Sequence, residues 1–317
     1  MRVDEGARRL ATIDVGTNTI LLLVAEVNGK GGLRLLEDLA EITRLGEGVD
    51  RSGFLGEGGQ ERSLDVLRRY CARCRSLNVE EISVAGTSAL RDAINAGDFK
   101  ARLKRELGWD LRVLSPEEES WYSYLAVQRG LALRSKELLV VDVGGGSTQL
   151  IWGKDGGWYR WASLQMGTVR LTERFLFSDP VGEEECDRLS RAVDDELGGL
   201  LVDWKKEAPF DTMIGIAGTF TTLVAVEKGL VRYALAEVHG SHLKREEVRR
   251  QIQVFQGKTI AERRQIPGLE PKRADVILAG ALLIDRIMAL FRMDRVVVSD
   301  QGIRYGLLYE RLEGSHG

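Results

Sequence analysis

The stretch Leu10-Ala-Thr-Ile-Asp14-Val-Gly16-Thr17-Asn18-Thr19-Ile20 decides the fold, because a second stretch repeats its plan. The second stretch is Leu138-Leu-Val-Val-Asp142-Val-Gly144-Gly145-Gly146-Ser147-Thr148-Gln149-Leu150. Each runs from an apolar strand to an Asp, through a turn of small residues, into another apolar strand. Such turns leave backbone N–H groups and hydroxyls free to hold phosphate, and the carboxylate can hold a divalent cation through water. The pair predicts a duplicated fold that clamps a phosphate chain between its halves.

The pattern of elements restarts after the second Asp. Alternating apolar residues predict two three-strand meanders, over residues 10–14, 20–27 and 33–39, and over residues 138–142, 148–153 and 158–163. Helices and single strands follow each meander. Residues 46–59 are predicted to form a Gly-rich loop, and the region before the last strand is predicted to be mostly helical. The layout is an α/β fold with helices covering a mixed sheet.

Composition limits the classes of protein to which the chain can belong. The chain has 317 residues, of which 44% are hydrophobic and 29% charged, as expected of about two globular domains. A net charge of −3 supplies no field that would attract nucleic acid, so no nucleic-acid partner is expected. No signal peptide is visible and no apolar run reaches the roughly 18 residues of a membrane span, so no membrane partner is expected. Three cysteines cannot build a disulfide framework, which favours the cytoplasm.

The segment Gly144-Gly145-Gly146-Ser147-Thr148 is the strongest local signal for a ligand. Three glycines let the backbone approach an anion without a Cβ clash, and two hydroxyls add donors. The segment leads into a strand rather than a helix, and it lacks the Gly-Lys of a P-loop. The alternative is a tight hairpin without a ligand.

The segment Ser115-Pro116-Glu117-Glu118-Glu119 begins a helix. Ser115 and Glu118 form a capping box, and Glu117 favours the helix dipole. Neither role accounts for Glu119, which we therefore predict to be the base that takes a proton from an attacking water. The alternative is an acidic first helical turn without chemistry.

Two further segments place small or charged residues at the start of a helix. Arg91 is predicted in the first turn of a helix, where it opposes the helix dipole unless the guanidinium faces a bound anion. Gly218 and Thr219 follow a strand and begin another helix, where an anion or a nucleotide could bind. The alternatives are a solvated arginine and close packing of a strand on a helix.

The ordered motifs resemble those of the exopolyphosphatase / guanosine pentaphosphate phosphatase (Ppx/GppA) family, within the actin-like phosphotransferase superfamily. Besides the two Asp stretches, the resemblance rests on Gly86-Thr87-Ser88-Ala89-Leu90-Arg91-Asp92, Leu114-Ser115-Pro-Glu-Glu-Glu119, Met166-Gly167-Thr-Val-Arg170, Arg273-Ala274-Asp275 and Val298-Ser299-Asp300. It runs over nearly the whole chain, and the segments around Arg91, Glu119 and Arg273 are the most specific.

The resemblance implies two actin-like (ribonuclease H-like) lobes, in the duplicated ASKHA arrangement, with the active site in the cleft between them. The first lobe would comprise residues 1–127 with a terminal helix at 303–317, and the second residues 128–302. The implied activity is hydrolysis of the terminal phosphate of polyphosphate, or of the 5′-phosphate of guanosine pentaphosphate, a nucleotide of the stringent response. Family members are commonly dimeric, which implies a homodimer.

The resemblance also implies roles for most of the candidate residues. Glu119 would be the catalytic base, and Arg91, the second catalytic residue, would bind phosphate. Asp142, with Asp14, would hold Mg²⁺ or another divalent cation such as Mn²⁺. Phosphates would also bind to Thr17, Asn18, Gly144, Gly145, Gly146, Ser147 and Thr148. Gly218 and Thr219 are added to this set because of their own turn, not because of the resemblance.

The sequence departs from the family pattern in two places. Gln149 stands where the family usually has Glu, which removes a negative charge beside the predicted metal site and leaves a non-hydrolysing sensor as an alternative. Long members carry an additional C-terminal helical domain of the HD type, so the chain resembles the short members. An ASKHA-fold kinase is the other alternative, which the motif around Glu119 disfavours.

Overall fold

The computed structural model describes residues 7–28, 32–133, 135, 137–204 and 210–313. The chain divides into two compact units, the first comprising Met1–Tyr122 with Ile303–Gly317 and the second Ser123–Gly302. The division lies within one continuous helix, Pro116–Gly130, slightly before the predicted boundary at residue 127. Residues 314–317 of the predicted terminal helix lie outside the described residues.

The first unit contains a five-stranded mixed sheet. An antiparallel meander of β1 (Arg8–Val15), β2 (Thr19–Val27) and β3 (Leu33–Ile42) is extended beside β1 by the parallel strands β4 (Glu81–Gly86) and β5 (Leu111–Val113). The strand order is β3-β2-β1-β4-β5. The helices of this part of the chain are α1 (Val49–Ser52), α2 (Glu57–Ser76), α3 (Ser88–Asp92), α4 (Ala96–Leu107) and α5 (Pro116–Gly130).

The segment predicted as a Gly-rich loop is partly helical. It contains α1, and α2 begins at Glu57, inside the predicted loop. Gly59 accounts for the difference, because a Cβ there would lie 3.0 Å from the Arg44 carbonyl oxygen. The glycine permits the helix to pack closely against the chain after β3, whereas in the sequence it reads as a loop residue.

The second unit repeats the sheet plan. The meander consists of β6 (Glu137–Val143), β7 (Thr148–Lys154) and β8 (Gly157–Leu164), and β9 (Thr212–Ile216) and β11 (Arg295–Val298) continue the sheet in parallel. Its helices are α6 (Thr168–Phe175), α7 (Glu183–Trp204), α8 (Gly218–Glu227), α9 (Leu235–Val238), α10 (Arg245–Gln256), α11 (Ile260–Arg263) and α12 (Ile277–Leu290). None of the helices in the described part of the chain combines the length and apolar character needed to cross a membrane.

A sixth strand of this sheet was absent from the sequence prediction. The strand β10 (Ser241–Lys244) pairs antiparallel with β11, with His242 opposite Val297. It is an edge strand of four residues and only Leu243 is buried, so it lacks the alternation that marks a longer strand. The remaining order, a meander followed by parallel strands, is shared by both sheets and confirms the predicted duplicated, actin-like α/β fold.

The last helix, α13 (Ile303–Glu313), belongs to the first unit. The Arg304 guanidinium donates two hydrogen bonds to Asp38 on β3, at 2.9 and 3.1 Å, and the Tyr305 hydroxyl donates to the same carboxylate at 2.8 Å. The Thr12 hydroxyl on β1 donates to the Arg304 carbonyl at 2.7 Å. These contacts attach the end of the chain to the first sheet.

A carboxylate organises the loop before α7. Glu185 accepts hydrogen bonds from the backbone N–H groups of Phe177, at 2.8 Å, and Gly182, at 3.0 Å, and from the Ser178 hydroxyl. The Ser178 hydroxyl, and then these backbone donors, lower the pKa of Glu185 to about 2. Because the pKa in the folded protein is below that of an unfolded Glu, the resulting stability is present above about pH 5 and is lost as the pH falls towards 2.

We expect Glu185→Gln to lower the free energy of unfolding by about 2 kcal/mol at pH 7, because charge-assisted hydrogen bonds are lost. The difference between the variant and the wild type should shrink at pH 3.5, where the unfolded wild type binds the proton. Urea unfolding of both proteins at the two pH values measures this. A difference that does not change with pH would contradict the role of the charge.

Candidate active site

In the first unit, three chain segments leave the sheet on the same side, at the carboxyl ends of parallel strands. This row of strand ends is called the edge below. The strands β1, β4 and β5 are parallel, with Asp14 opposite Ala85 and Ala85 opposite Arg112. Their carboxyl ends therefore lie side by side, as at ligand sites of α/β sheets. The ends of these strands and the segments that follow them carry the predicted site residues of this unit, which are Asp14, Thr17, Asn18, Arg91 and Glu119.

Residues 16–19 form a tight reversal between β1 and β2. It is closed by a 3.0 Å hydrogen bond from the Gly16 N–H to the Thr19 carbonyl. The Thr17 carbonyl accepts from the Gly46 N–H at 2.8 Å, so the chain after β3 fixes the orientation of the reversal. A Cβ on Gly46 would overlap the Thr17 methyl group, which explains the need for glycine there.

The Asn18 side chain is the clearest ligand signal in the first unit. It is 6% exposed, and neither its Oδ1 nor its Nδ2 has a hydrogen-bond partner among the described residues. Leaving such buried polar groups unpaired costs about 1–3 kcal/mol each. A ligand with both donors and acceptors, such as a phosphate with its bound waters, would satisfy both atoms.

The start of α5 separates the three consecutive glutamates as predicted. The Ser115 N–H donates to Glu118 at 2.7 Å and the Glu118 N–H donates to the Ser115 hydroxyl at 3.1 Å, which confirms the capping box. The Ser115 N–H and the Arg112 guanidinium lower the pKa of Glu118. Glu117 is exposed, whereas Glu119 is only 2% exposed.

Arg91 holds the buried carboxylate of Glu119. Its Nη1 donates to Glu119 Oε1 and, at 2.9 Å, to the Leu114 carbonyl. Its Nη2 is buried without a partner among the described residues, so one face of the guanidinium keeps a donor for an anion. The reasoning from the helix dipole was wrong, because α3 ends at Asp92 and Arg91 lies in its last turn, where a cation is favourable.

The second unit repeats this edge. The strands β6, β9 and β11 are parallel, with Asp142 opposite Ile216 and Gly215 opposite Val298. Residues 144–147 form a reversal closed by a 3.0 Å hydrogen bond from the Gly144 N–H to the Ser147 carbonyl, as at residues 16–19. The Thr148 hydroxyl donates to the Met166 carbonyl at 2.6 Å, so its proton is committed to the protein.

Asp142 is a buried carboxylate with a neutral partner. It is 7% exposed, and its Oδ2 accepts a 2.6 Å hydrogen bond from the Ser123 hydroxyl. Burial raises the pKa of Asp142 to about 6. Sequence reasoning missed Ser123, although its position four residues after Glu119 on α5 puts both on one helical face.

The donor set suits a hard cation with few protein ligands. A buried carboxylate without a charged partner is stabilised by a nearby cation, and carboxylate oxygen is the ligand that Mg²⁺ prefers. Among the described residues, no three His, Cys, Asp or Glu side chains gather into a metal site. An ion at Asp142 would therefore take most of its ligands from water and phosphate, as Mg²⁺ commonly does.

Gln149 lies directly across the strand pair from Asp142. Its side chain is buried, and its Nε2 donates to the Ser147 hydroxyl at 3.0 Å and to the Ser163 hydroxyl at 3.4 Å. The amide thus braces residues 144–147 from the side of β8. A Glu at this position could accept from these hydroxyls but could not donate to them.

The third turn of small residues, between β9 and α8, contacts an arginine that sequence reasoning did not place in the site. A Cβ on Gly218 would overlap the Arg273 guanidinium, so this side chain lies against the turn between β9 and α8. Burial lowers the pKa of Arg273. The preceding Ala217 has a φ of 74°, a left-handed conformation that is uncommon for alanine. The only sequence signal for Arg273 was its place in the Arg-Ala-Asp motif.

The two sheets and their connections define an actin-like fold, with an Asp shortly before a tight reversal in each unit. Residues 23–315 match the model of the Ppx/GppA phosphatase family. The chain therefore belongs to the Ppx/GppA phosphatase family, which confirms the resemblance read from its motifs.

Curated relatives and a solved structure agree with this assignment. Exopolyphosphatase 2 of Mycobacterium tuberculosis is 32% identical over 314 residues, covering 94% of this chain and 97% of that protein. A bifunctional 3-dehydroquinate synthase/phosphatase of Fusobacterium nucleatum is 33% identical over 313 residues, covering 96% of this chain but 46% of that protein, so this chain spans about half its length. The crystal structure of the Aquifex aeolicus Ppx/GppA family member is 35% identical, with a TM-score of 0.81 over 98% of this chain and 99% of that chain.

We expect Gly46→Ala to lower the free energy of unfolding of the first unit by about 1–3 kcal/mol, because the new methyl group would overlap Thr17 and displace residues 16–19. Gly97→Ala is the matched control, since no described atom other than those of its chain neighbours and its own helix backbone lies within 4 Å of a Cβ there. Thermal unfolding of both variants measures the effect. Equal stability of the two variants would show that residues 16–19 are not tightly held.

Proposed function

We propose that the chain is a phosphohydrolase that releases terminal orthophosphate from inorganic polyphosphate, or the 5′-phosphate of guanosine pentaphosphate. The single observation that carries this proposal is the buried Glu119 carboxylate held by Arg91. A protein that only binds phosphate has no use for a buried base beside an arginine. The exopolyphosphatase name of the M. tuberculosis relative supports polyphosphate as substrate.

In the proposed reaction Glu119 accepts a proton from the attacking water. The transition state of phosphoryl transfer is loose, so catalysis depends on an aligned water and on neutralised charge rather than on covalent chemistry. Arg91 serves both needs. Its Nη1 fixes the carboxylate, and its Nη2 can donate to an oxygen of the transferred group.

Phosphate oxygens would be bound by the two reversals and by the turn at Gly218 and Thr219. In the first unit, Thr17 and the unpaired amide of Asn18 supply donors. In the second unit, residues 145–147 present backbone N–H groups without side-chain obstruction at the two glycines. None of these contacts would distinguish one nucleobase from another, which suits a substrate that is a chain of phosphates.

Asp142 would hold Mg²⁺, or another divalent cation such as Mn²⁺, together with Asp14. When bound, the cation supplies charge neutralisation for the phosphate oxygens. Asp142 is suited to this because burial has already removed its carboxylate from solvent, and Ser123 fixes one oxygen. The cleft between the lobes as the place of the site, the homodimer and the cytoplasmic location stay predictions.

A sensor that binds without hydrolysis is the second candidate, and Gln149 is the observation that favours it. The amide opposite Asp142 contributes no negative charge, so the cation would be held more weakly than by two carboxylates. Tight binding of polyphosphate without release of orthophosphate would establish the sensor.

Phosphate release with Mg²⁺ from long-chain polyphosphate and, in parallel, from guanosine pentaphosphate tests the proposal. We expect Glu119→Gln to reduce kcat by about 10²- to 10⁴-fold, because the base is lost while the shape is kept. Glu117→Gln is the matched control, since it makes the same change at an exposed position of the same helical turn. Equal activity of the two variants would remove Glu119 from the mechanism.

We expect Gln149→Glu to lower the Mg²⁺ concentration that gives half-maximal phosphate release, because a second carboxylate would face Asp142. Gln165→Glu adds the same charge at an exposed position after β8 and should leave the Mg²⁺ dependence unchanged. A titration of phosphate release with Mg²⁺ compares them. An unaltered midpoint in Gln149→Glu would count against a cation near Asp142.

A further inference from the structure

The start of α6 captures two carbonyl groups of the reversal at residues 144–147. The Gly144 carbonyl accepts from the Thr168 N–H at 3.0 Å, and the Gly145 carbonyl accepts from the Val169 N–H at 2.9 Å. The first N–H groups of a helix have no partners within the helix and often bind anions. In this protein the N–H groups of Thr168 and Val169 donate to the backbone of the reversal, so they are not available to a ligand.

Arg170 captures the third carbonyl. Its Nε donates to the Gly146 carbonyl at 2.8 Å, and its own N–H makes a longer, 3.3 Å bond to the Gly145 carbonyl. Gly167 lies so close that a Cβ there would overlap the peptide group between Gly145 and Gly146. All three peptide groups that follow Gly144, Gly145 and Gly146 are thus oriented by residues 167–170.

The orientation of these carbonyls decides where the N–H groups point. In a planar trans peptide, the C=O of one residue and the N–H of the next point in opposite directions. The N–H groups of Gly145, Gly146 and Ser147 therefore point away from α6, and none has a hydrogen-bond partner among the described residues. Successive backbone N–H groups that are left free in this way are a common means of binding anions in proteins.

The same arrangement transmits the charge of the helix end. The N-terminus of α6 carries a partial positive charge, and it polarises the peptide groups whose carbonyls it binds. Peptides polarised in this way are stronger donors on their N–H side. The helix would act on a phosphate through the backbone of the reversal, without touching it.

We propose that Arg170 is a positioning residue for phosphate binding, acting through the Gly146 carbonyl rather than by contact with substrate. The inference rests on the proposed function, because it assigns a task within the same phosphate site. The hydrogen bond from Nε, rather than the positive charge of the guanidinium, is what matters, since it holds the Ser147 N–H towards the phosphate.

Arg170→Gln and Arg170→Met separate the hydrogen bond from the charge. In Gln the Nε2 occupies the same place along the side chain as the Arg Nε, so it can donate to Gly146 without a positive charge. Met has similar reach and no donor. We expect Arg170→Met to raise the KM for polyphosphate about tenfold with a smaller change in kcat, and Arg170→Gln to stay within about twofold of the wild type. Arg174→Met, at an exposed position of α6, is the control for charge and helix stability.

A KM in Arg170→Gln as high as in Arg170→Met would overturn the proposal, because it would show that the charge acts on the substrate directly. An unchanged KM in Arg170→Met would overturn it as well. Unfolding curves of each variant, compared with Arg174→Met, separate these effects from a loss of fold.

Hydrogen exchange tests the inference independently of turnover. Tripolyphosphate should slow exchange of the amides at residues 145–147 in the wild type and in Arg170→Gln, and less so in Arg170→Met. If the wild type releases no phosphate but shows this protection, the phosphohydrolase fails and the positioning role stands. If tripolyphosphate protects none of these amides in the wild type, the positioning role fails, whatever the activity.

Discussion

One backbone hydrogen bond closes each of the two reversals that the proposed binding of phosphate requires. In both units an N–H two residues after the Asp donates to a carbonyl three residues further on, at 3.0 Å. The antiparallel partner strand begins at once, so Val15 lies opposite Ile20 and Val143 opposite Thr148. This pairing fixes the Asp near the carboxyl end of its strand, and the hydrogen bond fixes the conformation of the reversal. A side chain at Gly16 or Gly144 would crowd the acceptor carbonyl.

The two units place different chemistry on the same frame. In the first unit, parallel pairing of β1, β4 and β5 brings a carboxylate and a guanidinium together after the strands. In the second, the equivalent strand ends carry three glycines and the Asp142 carboxylate, which accepts a hydrogen bond from the Ser123 hydroxyl.

Burial gives the two carboxylates different properties. Glu119 forms an ion pair with the Arg91 guanidinium. Removing one partner of such a buried ion pair strongly destabilises a protein. Asp142 has a hydroxyl instead, so burial raises its pKa to about 6 and favours the approach of a cation. Gln149 keeps the surroundings of Asp142 neutral. In the proposed metal site, the residue opposite Asp142 would set how strongly a cation is held.

Much of the fold was predictable because its signals are local. Apolar alternation and glycine turns fixed the two meanders, and the capping box singled out Glu119 by explaining its neighbours. Local signals failed where an element depends on residues that are distant in the sequence. The edge strand β10 has only one buried residue, and α3 ends at Asp92, which places Arg91 in its last turn and not in its first.

The sequence by itself determined which residues stand at strand ends and helix starts, since a period of two or of 3.6 residues and the chemistry of turns act over a few positions. Only the tertiary structure decided that Arg91 binds Glu119, that Ser123 binds Asp142, and that Arg170 holds the Gly146 carbonyl. These partners are 19 to 28 residues apart along the chain. They meet because parallel strands align their carboxyl ends and because helices pack back onto that edge, which no local pattern records.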